Sequence, residues 1–587
     1  MAEFFGGDKG EARDPARRAV GRAAETRTRT RRLSPERRQA EVAIRRHRVY
    51  LVLLAAALVG LLLFVPTLSN GRSSPGAPVD VVVPAGVTPP TPAYGAGVAT
   101  SGVTCGPGVR QVAWSAYAPP CQPAWHGKNG GATSRGVTAT TIRIAYREAA
   151  SSQLSALYSL VPPDVVGTNQ EAISTLRTYI DTFNRTFELY GRKVVLVPYD
   201  GKGDFVNEDL GQDQQQAQED AVYVATSLKA FADTSLIDSS SVYTTDLAAQ
   251  NVVALSVYVN DAAFYQQFAP WEYTPGPNCS KSALATGAVL GRQLAGLPAV
   301  DAGDPVLRHH TRVYGIIYPE GPTASSCAED VANELASYGQ APKVMVALQF
   351  NLGQFVDEAQ NAVAQLKAAG VTTVVCASCD PITPIFVMQA ADRQDYHPEW
   401  WYQSTFASGQ TNTDAFTRLL PRDQVSHMIS TGNQAPPYAE QEAYTAYRLG
   451  NPSPRQTILP TYSFAYLSLL QLFTTLQLAG PYLTPANFEA ASRLVPVSAR
   501  WGMYGAWDGK AGPYDPPAAY RVVQWQPDVR SASDGRLGTW VDCEGGRQIP
   551  YARAADVPAH RQLTCSAKAG AASTPPGSAA VAESRSH

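Results

Sequence analysis

The middle of the chain alternates short apolar runs with longer amphipathic runs, and this alternation limits the possible folds more than any other feature. The run "TRVYGIIYPEG" predicts a buried strand through Ile317, and "ASSCAEDVANELASYG" predicts a helix with Val331 and Leu335 on one face. Gly339 follows the last turn of that helix, where glycine commonly ends helices. Strands and helices in repeated alternation predict a parallel sheet covered by helices on both faces.

The same unit recurs directly after this block. "PKVMVALQF" and "VTTVVCASC" predict two further strands, and "GQFVDEAQNAVAQLKAAG" predicts a helix between them. Because "VTTVVCASC" is apolar on both faces up to Cys376, we expect it to be a central strand. Asp380 follows that strand and is predicted to cap the next helix.

An earlier block repeats the pattern. "TTIRIAYRE", "RKVVLVPYD" and "NVVALSVYV" predict strands, and helices are predicted near Thr168–Leu189 and Gln212–Leu228. Two such sheets, one on either side of Trp271–Gly291, predict a bilobed α/β protein with two Rossmann-like, parallel-sheet lobes. Ligands of open sheets bind outside the carboxyl ends of the strands, so two facing lobes would place that edge in a cleft.

The N-terminal part of the chain predicts a membrane anchor. Residues 1–48 are rich in arginine and almost free of aliphatic runs, which predicts a disordered arm. Val49–Leu68 carries no charge and has roughly the 20 residues that cross a bilayer as a helix. Since the arginines precede this segment, we expect a cytoplasmic N-terminus and an extracytoplasmic main domain at the cell membrane. A cleaved secretory signal is the alternative, but the charged leader is unusually long and no clear A-x-A site follows Val65.

Composition and pattern divide the rest of the chain. The predicted segments are a Pro/Gly-rich stalk at 69–102, a disulfide-bearing lead-in at 103–135, a bilobed domain at 136–565 and a disordered tail at 566–587. Within the bilobed domain, the first lobe is predicted at about 136–270 and 428–500, and the second at about 271–427 and 501–565.

All eight cysteines lie on the outward side of the predicted anchor, which favours disulfides over zinc ligands or catalytic thiols. Proximity in sequence suggests that Cys105 pairs with Cys121 and that Cys543 pairs with Cys565. The pairing of the other four stays open between a local ring with a separate bridge and cross-pairing; these four are Cys279, Cys327, Cys376 and Cys379.

The Cys376-x-x-Cys379 pair also has the spacing of a dithiol redox catalyst. A thioredoxin-like catalyst places its pair at the start of a helix, with an exposed thiol of low pKa. Here the pair ends a predicted strand of a larger α/β unit, together with other cysteines on the oxidising side. We therefore interpret the pair as structural.

Composition and motifs exclude several functional classes. Charged residues make up 17% of the chain and the net charge is -2, so nothing predicts a nucleic-acid partner. Gly-x-Ser-x-Gly, Walker-type and His-Glu-x-x-His motifs are missing from the sequence. We therefore expect a protein that is not an enzyme and that uses no cofactor or metal.

Several stretches resemble a known family. "RGVTATTIRIAYRE" and "YGRKVVLVPYDGKGD" resemble the opening of type I periplasmic solute-binding proteins, the class that includes the branched-chain amino acid receptors of ABC importers. "VYGIIYPEG" and "AVAQLKAAGVTTVV" match the second half of that family in order and spacing, and "YAPPCQPAWHGKNGGATSRGVT" is similar to the lead-in of a large actinobacterial group. The resemblance covers roughly Cys105–Cys565. It implies a hinged receptor whose two lobes are joined by three crossing strands and close on a small solute.

The resemblance also implies where the ligand binds. The family holds a ligand carboxylate on serine, threonine and backbone donors of the first lobe, and an ammonium on tyrosines and an acidic group. "DSSSVYTTDLAAQ" matches the first of these segments, at a helix start that favours an anion by about 0.3–1 kcal/mol, and "LSVYV" matches the next. The candidate ligand residues are Tyr146, Glu148, Ser239, Ser240, Ser241, Ser256, Tyr258, Tyr318, Glu320, Asp380 and Ser404.

Several of these residues have a purely structural alternative. Ser239–Ser241 and Asp380 have the residue types of helix N-caps. Tyr318 is equally compatible with a core position, and Glu320 with a solvated turn. The chain also departs from the family after "YPE", where it has Gly321-Pro322 instead of the frequent Tyr-Gly pair.

The sequence thus predicts an extracytoplasmic protein that captures a small polar ligand, an amino acid or a related compound, in a cleft between its lobes. The expected partners are that small molecule, an ABC-type permease and the membrane, through one transmembrane helix. One alternative is a ligand-sensing membrane receptor domain. A further alternative is an extracellular thiol oxidoreductase that uses Cys376 and Cys379.

Overall fold

The computed structural model describes residues 95–149, 168–209, 211–236, 238–349, 354–380, 383–404, 414–426, 428–432, 434, 436–451, 460–498 and 505–566. The predicted arm, the predicted transmembrane segment Val49–Leu68, most of the predicted stalk and nearly all of the predicted tail lie outside these residues. Among the helices that the structure describes, none is both long and apolar enough to cross a membrane.

The strands form two main sheets and two small pairs. In chain order they are β1 (Gly97–Val98), β2 (Thr104–Cys105), β3 (Thr141–Ala149), β4 (Lys193–Gly201), β5 (Ala232–Leu236), β6 (Val253–Ser256), β7 (Glu272–Tyr273), β8 (Tyr314–Pro319), β9 (Val344–Leu348), β10 (Thr373–Cys379), β11 (Glu399–Ser404), β12 (Ile429–Thr431), β13 (Ala519–Tyr520), β14 (Val522–Arg530), β15 (Leu537–Asp542) and β16 (Ile549–Pro550).

Most of the helices pack on the two main sheets. In chain order they are α1 (Asn169–Thr186), α2 (Phe205–Asp209), α3 (Gln214–Tyr223), α4 (Ser241–Ala249), α5 (Ala262–Gln267), α6 (Cys279–Thr286), α7 (Pro322–Ser337), α8 (Phe355–Ala368), α9 (Thr383–Arg393), α10 (Asp414–Thr417), α11 (Arg422–Val425), α12 (Glu442–Gly450), α13 (Pro460–Ala479) and α14 (Pro485–Ser492). Two π-helical segments, Val224–Leu228 and Gly287–Gln293, continue α3 and α6.

The first sheet has five strands in the order β4-β3-β5-β6-β7, and every pairing in it is parallel. The strands predicted from its three apolar runs are confirmed. The helix between β3 and β4 begins at a capping box, in which the Thr168 side chain and Glu171 satisfy each other's backbone N–H groups. On one face of the sheet α1 packs against α13, with the rings of Phe183 and Phe473 5.1 Å apart.

The second sheet has seven strands in the order β15-β14-β12-β11-β10-β8-β9. β8 to β12 are parallel, and β10 is the central strand that its two apolar faces predicted, since all its residues are buried. β14 and β15 extend this sheet as an antiparallel pair beside β12. The prediction of a purely parallel sheet was therefore wrong at this edge, because the last crossing of the chain brings β14 back against β12 in the opposite direction.

The chain passes between the two lobes three times. It leaves the first sheet after Tyr273 to form α6, returns after Thr431 to form α12, and leaves again after Tyr514 to form β13. The first and third passages are joined by a hydrogen bond from Thr274 N to Tyr514 O of 2.8 Å. This number of passages is the one that the resemblance implied.

The positions of the passages differ from the predicted lobe boundaries by a few residues at the first two passages and by more than ten at the third. Glu272–Tyr273 pairs in the first sheet although the second lobe was predicted to begin at 271. Ile429–Thr431 pairs in the second sheet although 428–500 was predicted to belong to the first lobe. Trp507 and Tyr514, predicted in the second lobe, pack in the core of the first. Short strands at the end of a lobe carry too little pattern to locate a boundary.

A small disulfide-bonded module precedes the first lobe. β1 and β2 pair antiparallel next to the Cys105–Cys121 bond, so Gly97–Val98 belongs to folded structure and not to the predicted stalk. The module is held to the first lobe by hydrogen bonds from Ala116 N to Glu442 Oε1 of 2.6 Å and from Tyr117 OH to Gly505 O of 2.7 Å.

All eight cysteines are paired. The two bonds suggested by proximity, Cys105–Cys121 and Cys543–Cys565, are present. Of the two arrangements left open for the other four cysteines, the structure has the separate Cys279–Cys327 bridge and the local Cys376–Cys379 ring.

Candidate interlobe ligand site

The end of β3 sends alternate side chains to opposite faces of the first sheet. Ile144 and Tyr146 join the core that includes α13, whereas Ala145 and Arg147 face α3 and α4. Arg147 is fully buried. A buried guanidinium needs a full set of acceptors, because its desolvation is otherwise uncompensated.

Carboxylates from the following segments surround Arg147. Its Nη1 and Nη2 donate to Glu208 Oε1 and Oε2 at 2.7 and 3.0 Å, and its Nε donates to Asp238 O at 3.0 Å. Asp220 Oδ2 lies 3.4 Å from Nη1, and the ring of Tyr243 lies 3.9 Å from the guanidinium carbon. Burial acts to lower the pKa of Arg147, but the Glu208 carboxylate holds it above its ordinary value. This set of contacts fixes the strand end, and no pattern in the sequence predicted it.

Tyr146 and Ser240 belong to the same hydrogen-bonded network. The Tyr146 hydroxyl donates to Asp238 Oδ2 at 3.0 Å, and the Ser240 hydroxyl donates to Glu208. Burial raises the pKa of Asp238 to about 7, although the Tyr146 hydroxyl and Arg147 favour its charged form. Both candidates are therefore enclosed and already hydrogen-bonded.

The three serines at the start of α4 have different surroundings. Ser240 is the N-cap, and its Oγ accepts from Tyr243 N at 3.1 Å, as the structural alternative predicted. Ser239 is buried beside it. Ser241 is only half-buried, and its hydroxyl donates to Asn260 Oδ1 at 3.0 Å. Of the three, Ser241 is the one placed to reach the space beyond the sheet edge.

The remaining candidates of the first lobe lie near the same edge. Ser256 accepts a hydrogen bond from Tyr258 N at 3.1 Å, which shapes the turn after β6. The half-buried ring of Tyr258 lies 6.2 Å from that of Phe205. Partial burial raises the pKa of Glu148, with repulsion from Asp200 acting in the same direction.

The candidates of the second lobe lie at the ends of β8, β10 and β11, which are neighbours in the second sheet. Asp380 caps α9, since its Oδ1 accepts from Thr383 N at 2.9 Å. The backbone of Ser404 pairs with Cys379 on the neighbouring strand. Tyr318 is half-buried against the core, and Glu320 is exposed while its N–H donates to Leu348 O at 2.8 Å. The structure thus gathers Tyr318, Asp380 and Ser404 at one edge, and their roles as ligand residues stay predictions.

Ser378 and Gln403 lie at this edge and were not candidates from the sequence. β10 pairs with β11 at Cys376–Tyr402 and at Cys379–Ser404, and the register shifts between these pairs, so Ser378 and Gln403 lie within the shift. Both are 3% exposed, and among the residues that the structure describes Ser378 Oγ and both amide atoms of Gln403 have no hydrogen-bond partner. Buried polar atoms without partners are rare in proteins. Only the strand register brings these two side chains together.

Replacing Gln403 with leucine is expected to raise the free energy of unfolding by about 1 kcal/mol, because the change removes buried polar atoms that gain nothing in the folded state. Urea unfolding of the full-length protein measures this change. The matched control is Gln424→Leu, which removes hydrogen bonds to Trp400 and Tyr396 and should destabilise the protein. A loss of stability for Gln403→Leu comparable to the control would show that Gln403 has partners of its own.

The two lobes meet beside this edge. Thr323, in the first turn of α7, donates to Asn260 Oδ1 at 2.9 Å and lies 3.2 Å from Ser241 Oγ. Candidate residues of the first lobe and the helix that follows β8 in the second are thereby brought into direct contact. Within the part of the chain that the structure describes, no group of three or more His, Cys, Asp or Glu residues is arranged to hold a metal ion.

Comparison with known proteins gave matches only among solved structures, since no family model and no curated protein matches this chain. One match is a solute-binding protein of an ABC transporter from Rhodopseudomonas palustris BisB5 in complex with 3,4-dihydroxybenzoic acid, with 9% identity, a TM-score of 0.48, and coverage of 70% of this chain and 98% of that one. Another is the leucine-, isoleucine-, valine-, threonine- and alanine-binding protein from Brucella ovis, with 13% identity, a TM-score of 0.48, and coverage of 71% and 97%.

A third match is the fatty acid ABC transporter substrate-binding protein from Thermomonospora curvata, with 14% identity, a TM-score of 0.48, and coverage of 73% of this chain and 97% of that one. The three are named for different kinds of ligand. With TM-scores below 0.5, these likenesses assign no ligand and no residue role to this chain.

Proposed function

We propose that this protein is an extracytoplasmic solute-binding protein that captures a small polar ligand, an amino acid or a related compound, between its two lobes for an ABC-type importer. The observation that carries the proposal is the meeting of the two sheet edges at Ser241 and Thr323, in a chain that passes between its lobes three times. Ligands of open parallel sheets bind at this edge, and a gap between two such edges can enclose a metabolite.

The chemistry at the edges supports a polar ligand. The first lobe offers the Ser241 hydroxyl and the Tyr258 ring, and the second offers the buried amide of Gln403 and the hydroxyl of Ser378. A ligand bound by both lobes favours their closed arrangement by the difference in its affinity for the two states. The closed arrangement would then be recognised by a permease.

We further propose that Val49–Leu68 anchors the protein in the membrane with its N-terminus in the cytoplasm. The support is the uncharged length of this segment and the excess of arginine before it. Protease protection in right-side-out and inverted vesicles tests the orientation.

Ligand capture is tested by thermal unfolding of the full-length protein with amino acids, small amides, sugars and short acids in excess. A ligand that binds only the folded state adds RT ln(1 + [L]/Kd), roughly 2.7 kcal/mol at a concentration of 100 Kd. We expect one of these chemical classes to raise the melting temperature. If none does, the proposed function loses its main support.

Ser241→Ala is the variant for this test, because Ser240→Ala would also remove a helix cap. We expect the ligand-induced shift to fall by at least half, while the melting temperature without ligand changes little. The control is Ser426→Ala, whose exposed hydroxyl donates to Arg422 O of the preceding helix. An undiminished shift in Ser241→Ala would remove Ser241 from the site.

A further inference from the structure

The segment Asn260–Ala262 of the first lobe meets α6 and α7 of the second through polar side chains. Asn260 is buried, and its Oδ1 accepts from the Ser241 hydroxyl at 3.0 Å and from the Thr323 hydroxyl at 2.9 Å. A carbonyl oxygen has two lone pairs, so it can accept both hydrogen bonds. One amide oxygen of the first lobe therefore holds a hydroxyl from each lobe.

A second point of contact lies one turn further along α7. The Ser326 hydroxyl donates to Asp261 Oδ2, while Asp261 Oδ1 caps α5 by accepting from Phe264 N at 2.7 Å. Beside it, Ala262 N donates to Ser280 Oγ at 3.0 Å. A hydrogen bond to a carboxylate is stronger than one between neutral groups, so the Ser326 contact is the firmer of the two.

Backbone geometry and a disulfide fix the helix that carries these hydroxyls. Gly321 has φ of 144°, a conformation that glycine adopts readily, and Pro322 is the first residue of α7. The Cys279–Cys327 bond ties α7 to the first residue of α6, with 5.5 Å between the Cα atoms, and Val259 packs against it. The start of α7 is thereby held where the chain first enters the second lobe.

From this geometry we infer that Thr323 and Ser326 are interlobe positioning residues, which favour the closed arrangement of the lobes before any ligand binds and orient Ser241 toward the gap. Asn260 and Asp261 are their acceptors in the first lobe. Opening the lobes breaks both hydrogen bonds, whereas the disulfide keeps α7 in place for closing. The inference concerns the lobes alone and does not depend on the identity, or the existence, of a ligand.

The test measures the distance between the lobes in the full-length protein without added ligand. Spin labels are attached through Val195→Cys on β4 and Val356→Cys on α8, both exposed, and the native cysteines do not compete because all eight are paired. The distance distribution is then compared between Thr323→Val/Ser326→Ala and the parent. We expect the ratio of open to closed molecules to rise about tenfold, since each lost hydrogen bond changes it severalfold.

The matched control is Ser337→Ala, at the far end of α7, whose hydroxyl donates to Glu334 O of its own helix. Its distance distribution should match that of the parent. Equal distributions in Thr323→Val/Ser326→Ala and the parent would overturn the inference, because the hydroxyls would then not affect closure.

A second variant tests the contact itself. In Asp261→Cys/Ser326→Cys, the new cysteines replace side chains whose oxygens are hydrogen-bonded, so we expect them to form a bond across the lobes. A maleimide reagent applied after unfolding without reductant should then label no thiol.

Discussion

Replacing Arg147 with methionine is expected to lower the free energy of unfolding by about 3–5 kcal/mol, which is the usual cost of removing one partner from a buried ion pair. The change leaves the fully buried Glu208 carboxylate without its two guanidinium hydrogen bonds, and leaves the buried Asp220 without its nearest cation. Equilibrium urea unfolding of the full-length protein measures the loss. A loss of this size from replacing a single side chain would establish that the network around Arg147 stabilises the end of β3.

Arg143→Met is the matched control, because it makes the same substitution on the same strand at an exposed arginine. Its effect should stay within about 0.5 kcal/mol, as for most surface changes. Adding Glu208→Gln to Arg147→Met should recover part of the loss, since it removes the main uncompensated charge. Equal effects of Arg147→Met and Arg143→Met would contradict the buried network.

Replacing Glu272 with glutamine is expected to stabilise the protein by about 4 kcal/mol at pH 8 and by only about 1 kcal/mol at pH 5. Glu272 lies on β7 and is 1% exposed. Among the described residues its carboxylate has no well-formed hydrogen bond, and only the nearby Thr244 hydroxyl favours its charged form. Burial raises its pKa to about 8, and repulsion from Asp233 acts in the same direction.

The direction of this pH dependence follows from the raised pKa. At pH values below the ordinary pKa of glutamate, Glu272 is neutral in both the folded and the unfolded chain, so it does not change the free energy of unfolding with pH. Between that value and about 8 it ionises only in the unfolded chain, so the free energy of unfolding of the parent falls as the pH rises. Because glutamine does not ionise, the free energy of unfolding of the variant lacks this decrease with pH. Urea unfolding of both proteins at a series of pH values from 5 to 9 measures the difference.

Glu219→Gln serves as the control for this series, because Glu219 is exposed and its partner Lys202 lowers its pKa. We expect no stabilisation that grows with pH in this variant. A difference between Glu272→Gln and the parent that is constant across the series would show that Glu272 does not titrate between the two states.

The elements could be predicted because their signals are local. The six apolar runs of the two blocks all became strands, and β10 is central, as its lack of a polar face indicated. The bonds Cys105–Cys121 and Cys543–Cys565 were suggested by spans of only 16 and 22 residues. The antiparallel pair β14 and β15 was missed, since pairing direction depends on where the third passage returns the chain.

At the candidate site, the helix caps could be predicted from the sequence but the ligand contacts could not. Asp380 and Ser240 were predicted at helix starts, and the structure has both as caps. Whether such residues also bind a ligand depends on which side chains of the other lobe face them. Hydrophobic periodicity gives no information about that. Gln403 precedes a candidate in the sequence, but its lack of partners becomes visible only when the register places it beside Ser378.

By itself, the amino-acid sequence determined the alternation of strands and helices, two of the four disulfides and the edge at which a ligand is expected. Only the tertiary structure decided that Arg147 is buried while Arg143 on the same strand is exposed, and that Ser241 of one lobe meets Thr323 of the other. The partners in these contacts are 61 and 82 residues apart. Burial and hydrogen bonding at such separations depend on how whole elements pack, whereas periodicity and capping depend on neighbours within a few residues.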